Sequence, residues 1–323
     1  MKPKASSARD RSRTPSRREF LKSTATAVAM PATVGVTLPH VHAAENNTIR
    51  LALIGCGGRG SGAAVNAFDS PNGPVKLVAM ADLLPNRLEN SLKALKRLHA
   101  DKIDVPPDRQ FIGFDAYKKA IDCLRPGDVA MLTGYAAFRS HQLEYAVEKG
   151  VNVFMEKSFA VDPPGVRRLI KAGEAAEKKN LKIAAGLMCR HSRNRQELIR
   201  RLRDGQLGEI QFIRAYRMCN VRALRRKPAG EKELLWQIRN FTDILWVAGG
   251  RFAEANIHQI DEICWIKDGW PVSAHGVGGR AANNLDRGQN LDSFSVEWTF
   301  ADGSKAYDVV RYIPRCYEEF NTF

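Results

Sequence analysis

Three glycines stand at the spacing G-x-G-x-x-G in Gly55-Cys56-Gly57-Gly58-Arg59-Gly60, directly after the apolar run Ile49-Arg50-Leu51-Ala52-Leu53-Ile54. Each has a physical reading. Gly55 permits a tight turn, Gly57 lets the backbone approach a pyrophosphate, and Gly60 lets the next helix lie close to the strand. Gly58 and Arg59 fall in the same cradle, where the N-terminal N–H groups of that helix receive phosphate oxygens. A second apolar run, residues 75–81, ends in Asp82, 22 residues beyond Gly60. A carboxylate there accepts from both ribose hydroxyls of an adenosine and repels a 2′-phosphate. The pattern predicts NAD as cofactor, with NADP possible because Arg87 lies nearby.

Positioning these residues requires a strand, a turn and a helix, and the chain repeats that beat. Helix-like stretches at 61–68, 118–124 and 140–149 alternate with strand-like runs at 128–132 and 151–155. This is the rhythm of a doubly wound parallel sheet, a Rossmann domain over residues 46–160. Ligands of such sheets sit beyond the carboxyl ends of the strands. Thr133 to His141 and Glu156-Lys157-Ser158 are therefore candidates for the far end of the cofactor, which adds Thr133, His141, Glu156 and Lys157 to its expected contacts. Residues 161–323 carry longer, more polar strands at 210–218, 273–280, 293–300 and 305–312, with a hairpin turn at 301–304. The fold class expected is α/β, the Rossmann sheet followed by an α+β domain with a mostly antiparallel open sheet, possibly truncated.

Residues 1–43 carry eight Lys/Arg and two acids, then an uncharged Ala/Thr/Val-rich stretch, and read as a cleaved signal. Ser16-Arg17-Arg18-Glu19-Phe20-Leu21-Lys22 resembles a twin-arginine export signal at every fixed position. That predicts the export machinery as a partner and a periplasmic or extracytoplasmic location. The leader accounts for six of the formal +15, leaving +9 over the other 280 residues. With no aromatic residues interleaved in the basic run from Arg222 to Lys227, nucleic acid is excluded as a partner. No apolar run approaches the roughly 20 residues of a membrane span. The six cysteines are scattered without a C-x-x-C pair, so neither a metal site nor a disulfide framework is expected.

Over nearly the whole mature length, the chain resembles the Gfo/Idh/MocA family of sugar oxidoreductases. The resemblance is carried by Gly55 to Gly60, Asp82, Thr133 to His141, Val153-Phe154-Met155-Glu156-Lys157, Ala185-Gly186-Leu187-Met188-Cys189-Arg190-His191, Ala255-Asn256-Ile257-His258-Gln259-Ile260-Asp261 and Gly276-Val277-Gly278-Gly279-Arg280. It departs from the family pattern where E-K-P reads Glu156-Lys157-Ser158, and where D-x-x-x-H reads Glu254 to His258. Exported relatives also run on by about a hundred residues beyond the position of Phe323.

The resemblance implies oxidation of a sugar or polyol secondary alcohol, with Lys157, His258 and Glu254 as catalytic residues. Removing the hydroxyl proton needs a positioned base. His258 is the most natural candidate, with Glu254 four residues earlier sharing its helix face and orienting the imidazole or raising its basicity. Lys157 stabilises the developing alkoxide, and the roles of Lys157 and His258 are interchangeable at this stage. Arg190 and His191, after a strand and a short turn, are expected to face the substrate. A homo-oligomer is expected by the same resemblance. An exported enzyme meets little free nucleotide, so the cofactor must be held and recycled. Two alternatives follow: an NAD-dependent glycoside hydrolase acting by transient oxidation and elimination, or a shortened, non-catalytic relative that binds cofactor or sugar.

Overall fold

β1 (Ile49–Ile54), β2 (Val75–Asp82), β3 (Gln110–Ile112), β4 (Val129–Leu132), β5 (Asn152–Met155) and β6 (Ile183–Ala185) form a six-stranded sheet in the order β3-β2-β1-β4-β5-β6. Every pairing in it is parallel. Strands buried on both faces need near-continuous apolar runs, which these are. Period-two alternation sends Ala52 and Ile54 into one core cluster with Leu132, Leu143 and Val153. Leu51 and Leu53 enter another with Leu77, Leu88 and Met131. The computed structural model describes residues 47–220, 224–280, 288–313 and the backbone of 318–322. The leader expected over 1–43 and Arg222 of the basic run lie outside the described residues.

The connecting helices are α1 (Gly58–Phe68), α2 (Pro85–Leu98), α3 (Ala116–Asp122), α4 (Ala136–Glu148) and α5 (Pro163–Lys178). α5 starts where Asp162 accepts from the Gly165 N–H at 2.7 Å, with proline in the first turn. After α5 the chain returns to the sheet edge as β6, so the parallel sheet draws its sixth strand from beyond residue 160. Strand order reverses between β1 and β4, and the crevice outside their carboxyl ends is where an open α/β sheet binds ligands.

A second, five-stranded sheet consists of β7 (Phe212–Cys219), β8 (Ser273–Gly279), β9 (Ser293–Thr299), β10 (Lys305–Tyr312) and β11 (Glu318–Thr322), in the order β11-β7-β10-β9-β8. It is mostly antiparallel, as expected, with β10 and β7 running parallel. The turn between β9 and β10 is closed by Asp302, whose Oδ1 accepts from the Ser304 N–H at 3.0 Å, and by Gly303 at φ +84°. The helices of this half are α6 (Arg193–Arg203), α7 (Glu233–Arg239), α8 (Leu245–Ala248), α9 (Gly250–Ala255) and α10 (Ile257–Lys267). α10 covers one sheet face, packing Ile263 and Ile266 with Ile213, Ala215 and Ala306. On the opposite face Phe212 and Tyr307 are exposed, their rings 5.2 Å apart. No described helix is long and apolar enough to cross a membrane.

Candidate active site

The glycine loop divides its labour in the structure. Gly55 has φ +98°, and a Cβ there would fall 2.3 Å from the Gly134 nitrogen; a Cβ on Gly60 would fall 2.1 Å from the Gly55 oxygen. These two serve the turn and the close contact of α1 with the sheet. A methyl on Gly57 meets nothing nearer than Arg87 Nη1 at 3.9 Å, and one on Gly58 meets nothing within 4 Å. Gly57 is also the N-cap of α1, whose first turn has neither a capping side chain nor an acid. Its orphan N–H groups are thus left to an outside acceptor, and the concavity beside Gly57 is one that a Cβ would fill.

Asp82 is buried at 7% exposure, at the carboxyl end of β2. Its Oδ2 accepts from the Cys56 N–H at 2.6 Å and its Oδ1 from the Leu84 N–H at 2.9 Å. The carboxylate anchors the glycine loop while lining the cavity. Arg87 donates to the Tyr135 hydroxyl at 2.7 Å, beside the same wall. Thr133 turns its hydroxyl onto the loop, donating to the Gly55 oxygen at 2.6 Å. Burial and the neighbouring Asp82 push the Cys56 thiol well above its usual range.

A single cavity of about 740 Å³ runs from Asn90, Phe114 and Tyr117, past the glycine loop and Asp82, to Glu156, Lys157 and Glu254. Its volume lies within the range usual for ligand sites. At its far end Lys157 Nζ pairs with Glu254 Oε1 at 2.5 Å and donates to the Glu254 carbonyl at 2.7 Å, each side chain being 20% exposed. The Lys157–Ser158 peptide is cis. Glu156, 7% exposed, accepts from the Lys157 N–H at 3.3 Å and pairs with Arg59 Nε at 3.3 Å. Gly186 makes room for it, since a Cβ there would lie 2.7 Å from Glu156 Oε2.

The motif carrying Glu254 and His258 is built differently from the sequence expectation. One helix face was expected to hold both. α9 ends at Ala255 and α10 begins at Ile257; Asn256 between them keeps helical dihedrals and, fully buried, donates its amide to Asp308 on β10. The Glu254 carboxylate is engaged by Lys157. His258 is buried at 7% exposure and is not among the residues lining the cavity. Burial pushes the Asp308 carboxyl up to about 7, with the Asn256 hydrogen bond opposing.

Three further expected contacts also lie elsewhere. His141 is exposed on α4, away from the cavity wall. Arg190 Nε bonds both oxygens of Asp261, at 2.9 and 3.0 Å, and the guanidinium lies 5.2 Å from the centre of the Trp265 ring. His191 is exposed and hydrogen-bonds the Ala185 carbonyl at 3.0 Å through Nε2. Neither Arg190 nor His191 lines the cavity.

Tyr135 and Arg139, within the stretch Thr133 to His141 but not singled out in it, and Gln142, just beyond it, are all buried in the cavity wall. Arg139 is 2% exposed and donates to the carbonyls of Gly134 and Ser158, tying the loop after β4 to the loop that carries Lys157. Burial lowers its guanidinium to about 10, opposed by the charges of Glu156 and Glu254. Among the described residues no cluster of His, Cys, Asp and Glu is arranged to hold a metal ion.

The chain matches no family model. A stretch of 138 residues, 42% of the chain, is 30% identical to Glycosyl hydrolase family 109 protein 1 of Bacteroides thetaiotaomicron and spans 28% of that protein's length. Among solved structures, a myo-inositol 2-dehydrogenase from Lactobacillus plantarum shares the fold at TM-score 0.64 and 24% identity, over 83% of this chain and 70% of that one. The scyllo-inositol dehydrogenase from Lactobacillus casei, solved with NAD(H) and scyllo-inositol, gives 0.63 and 22%, over 85% and 76%. The aldose-aldose oxidoreductase from Caulobacter crescentus gives 0.63 and 17%, over 83% and 72%. These likenesses establish the fold, a six-stranded parallel Rossmann-type sheet followed by a second, mixed sheet, which those proteins share.

Proposed function

We propose that this chain is an NAD(P)-dependent oxidoreductase acting on a secondary alcohol of a sugar or polyol, with a tightly held cofactor that is recycled rather than exchanged. The observation that carries the reading is the continuity of one cavity, from an uncapped helix N-terminus and Asp82 at one end to a lysine–carboxylate pair at the other. The N–H groups at the start of α1 hold the pyrophosphate, and Asp82 holds the adenosine ribose with the lone pairs its two backbone bonds leave over. The nicotinamide, when bound, supplies the hydride acceptor. Lys157 Nζ binds the substrate hydroxyl and, as the neutral amine, takes its proton; Glu254 orients that amine and pairs with the ammonium that forms. Arg139 ties the loop after β4, at Gly134, to the backbone that follows Lys157, at Ser158, through its two carbonyl bonds. His258, buried and outside the cavity lining, is assigned to supporting α10.

Denaturing protein purified without added nucleotide and identifying the released molecule by mass spectrometry tests the proposal. Stoichiometric NAD or NADP supports it; an empty protein that binds neither overturns it. A second reading, hydrolysis of a glycoside by transient oxidation and elimination, is favoured by the likeness to a family 109 glycosyl hydrolase. Free sugar released from a glycoside with no net NADH would select it. The proposal extends to export by the twin-arginine leader and to a homo-oligomer formed through the open sheet face. Cell fractionation of an Arg17→Lys/Arg18→Lys variant and light scattering test these in turn, with a cytoplasmic variant and a multimer expected.

A further inference from the structure

Arg59 and Glu156 stand on opposite sides of the crevice. Arg59 belongs to the first turn of α1, after β1, whereas Glu156 follows β5, and β4 lies between those two strands in the sheet. Their ion pair, at 3.3 Å, therefore crosses over the Thr133-Gly134 loop that follows β4, above the path from the glycine loop to Lys157. The two ends differ in freedom. The Glu156 side chain is 10% exposed, hemmed by the Gly186 backbone and bonded by the Lys157 N–H, so it is a fixed post. The Arg59 side chain is 57% exposed, with one hydrogen bond besides, to Asn66 Oδ1 at 3.3 Å, so it is a movable arm.

We infer that the Arg59–Glu156 pair is a clasp that closes over the bound dinucleotide and sets how slowly it leaves. The inference rests on the nucleotide reading of the cavity. A clasp acts through the pair itself, so removing either partner frees the cofactor. A simple phosphate ligand behaves otherwise: losing Arg59 weakens binding, while neutralising Glu156, an anion near the phosphates, tightens it.

The test is stopped-flow exchange of NADH from the loaded full-length protein, chased with excess NAD, in wild type, Arg59→Gln, Glu156→Gln and the double variant. The clasp predicts that both single variants release NADH roughly 2- to 5-fold faster. It also predicts that the double variant is no faster than either, the non-additivity expected of groups acting through one contact. Raising the salt concentration should speed release in wild type and leave Arg59→Gln nearly unchanged. Slower release from Glu156→Gln, or additive effects in the double variant, would overturn the clasp and leave the nucleotide site intact. Failure of wild type to bind NADH at all would overturn the nucleotide reading itself.

Discussion

Gly57→Ala and Gly60→Ala change two glycines three positions apart by the same methyl, and the structure requires opposite results. At Gly57 φ is −74°, which alanine adopts freely, and the nearest atom to the new Cβ is 3.9 Å away. Folding should lose nothing and gain about 0.4–1 kcal/mol from the stiffer unfolded chain. That methyl projects into the cavity, so the loss falls on cofactor binding. Overpacking of a close contact is worth roughly 1–3 kcal/mol, or about 5- to 150-fold in Kd. At Gly60 the Cβ would lie 2.1 Å from the Gly55 oxygen and 2.6 Å from Thr133 Oγ1. The Gly55 turn cannot retreat, because its N–H is bonded to the Ala81 carbonyl at 2.8 Å and its oxygen to Thr133. Gly60→Ala should therefore lose about 3 kcal/mol of stability, lowering Tm by roughly 6–12 °C. Calorimetric unfolding and NAD titration of both variants separate the cases. If Gly57→Ala bound NAD as wild type does, the glycine loop would not be the pyrophosphate cradle.

Lys157→Met should retain NAD, since its amine lies at the far end of the cavity, and lose roughly 10²- to 10⁴-fold in turnover once a sugar substrate is in hand. Unchanged turnover would remove Lys157 from the chemistry. Asp82→Asn weakens two charge-assisted bonds to the Cys56 and Leu84 N–H groups, so stability should fall by about 1–2 kcal/mol. The ratio of NAD to NADP affinity should drop about tenfold or more as the carboxylate's repulsion of a 2′-phosphate disappears, and an unchanged ratio would place the ribose elsewhere. Asp308, held up to about 7, binds its proton more tightly folded than unfolded. Its stabilising contribution is complete below about pH 4 and is lost as the pH rises to about 7, by at most about 4 kcal/mol. Asp308→Asn removes that slope, so its stability relative to wild type should rise across the same window in urea titrations at pH 4.5 and 8. Parallel stabilities at both values would refute the buried-acid account.

The parallel sheet was legible because strands buried on both faces announce themselves as apolar runs, and β1, β2, β4 and β5 lie within a residue or two of where those runs stand. α1 was placed to start at Ser61 and starts at Gly58, because glycine's poor helix propensity hides a first turn whose value is an open backbone. The partners of Glu254 and of Asn256 are ones that no local pattern contains. Asn256, at helical φ −77° and ψ −8°, is bonded to Asp308, 52 residues onward, while Glu254 pairs with Lys157 and His258 lies in the interior. Arg190 was read as facing the cleft from its place after β6, and Asp261, 71 residues away, captures it instead. Long-range polar partners decided each of these positions.

α4 carries part of the site in its buried stripe. Ala136, Arg139 with Ser140, Leu143, and Ala146 with Val147 recur at helical spacing, and all are buried. A charged residue on that stripe has to be satisfied by the protein interior, which is the strongest local sign of a built site available in the segment. His141 falls off the stripe and is exposed, so the same arithmetic that selects Arg139 rejects it. A helix start at Ser140 puts His141 at the helix's cleft end, whereas the helix begins at Ala136 and carries His141 more than a turn in, on the surface. What the stripe alone could not say is what satisfies the buried charge. The answer is two backbone carbonyls, of Gly134 and Ser158, from loops that only the pairing of β4 with β5 brings to the same end.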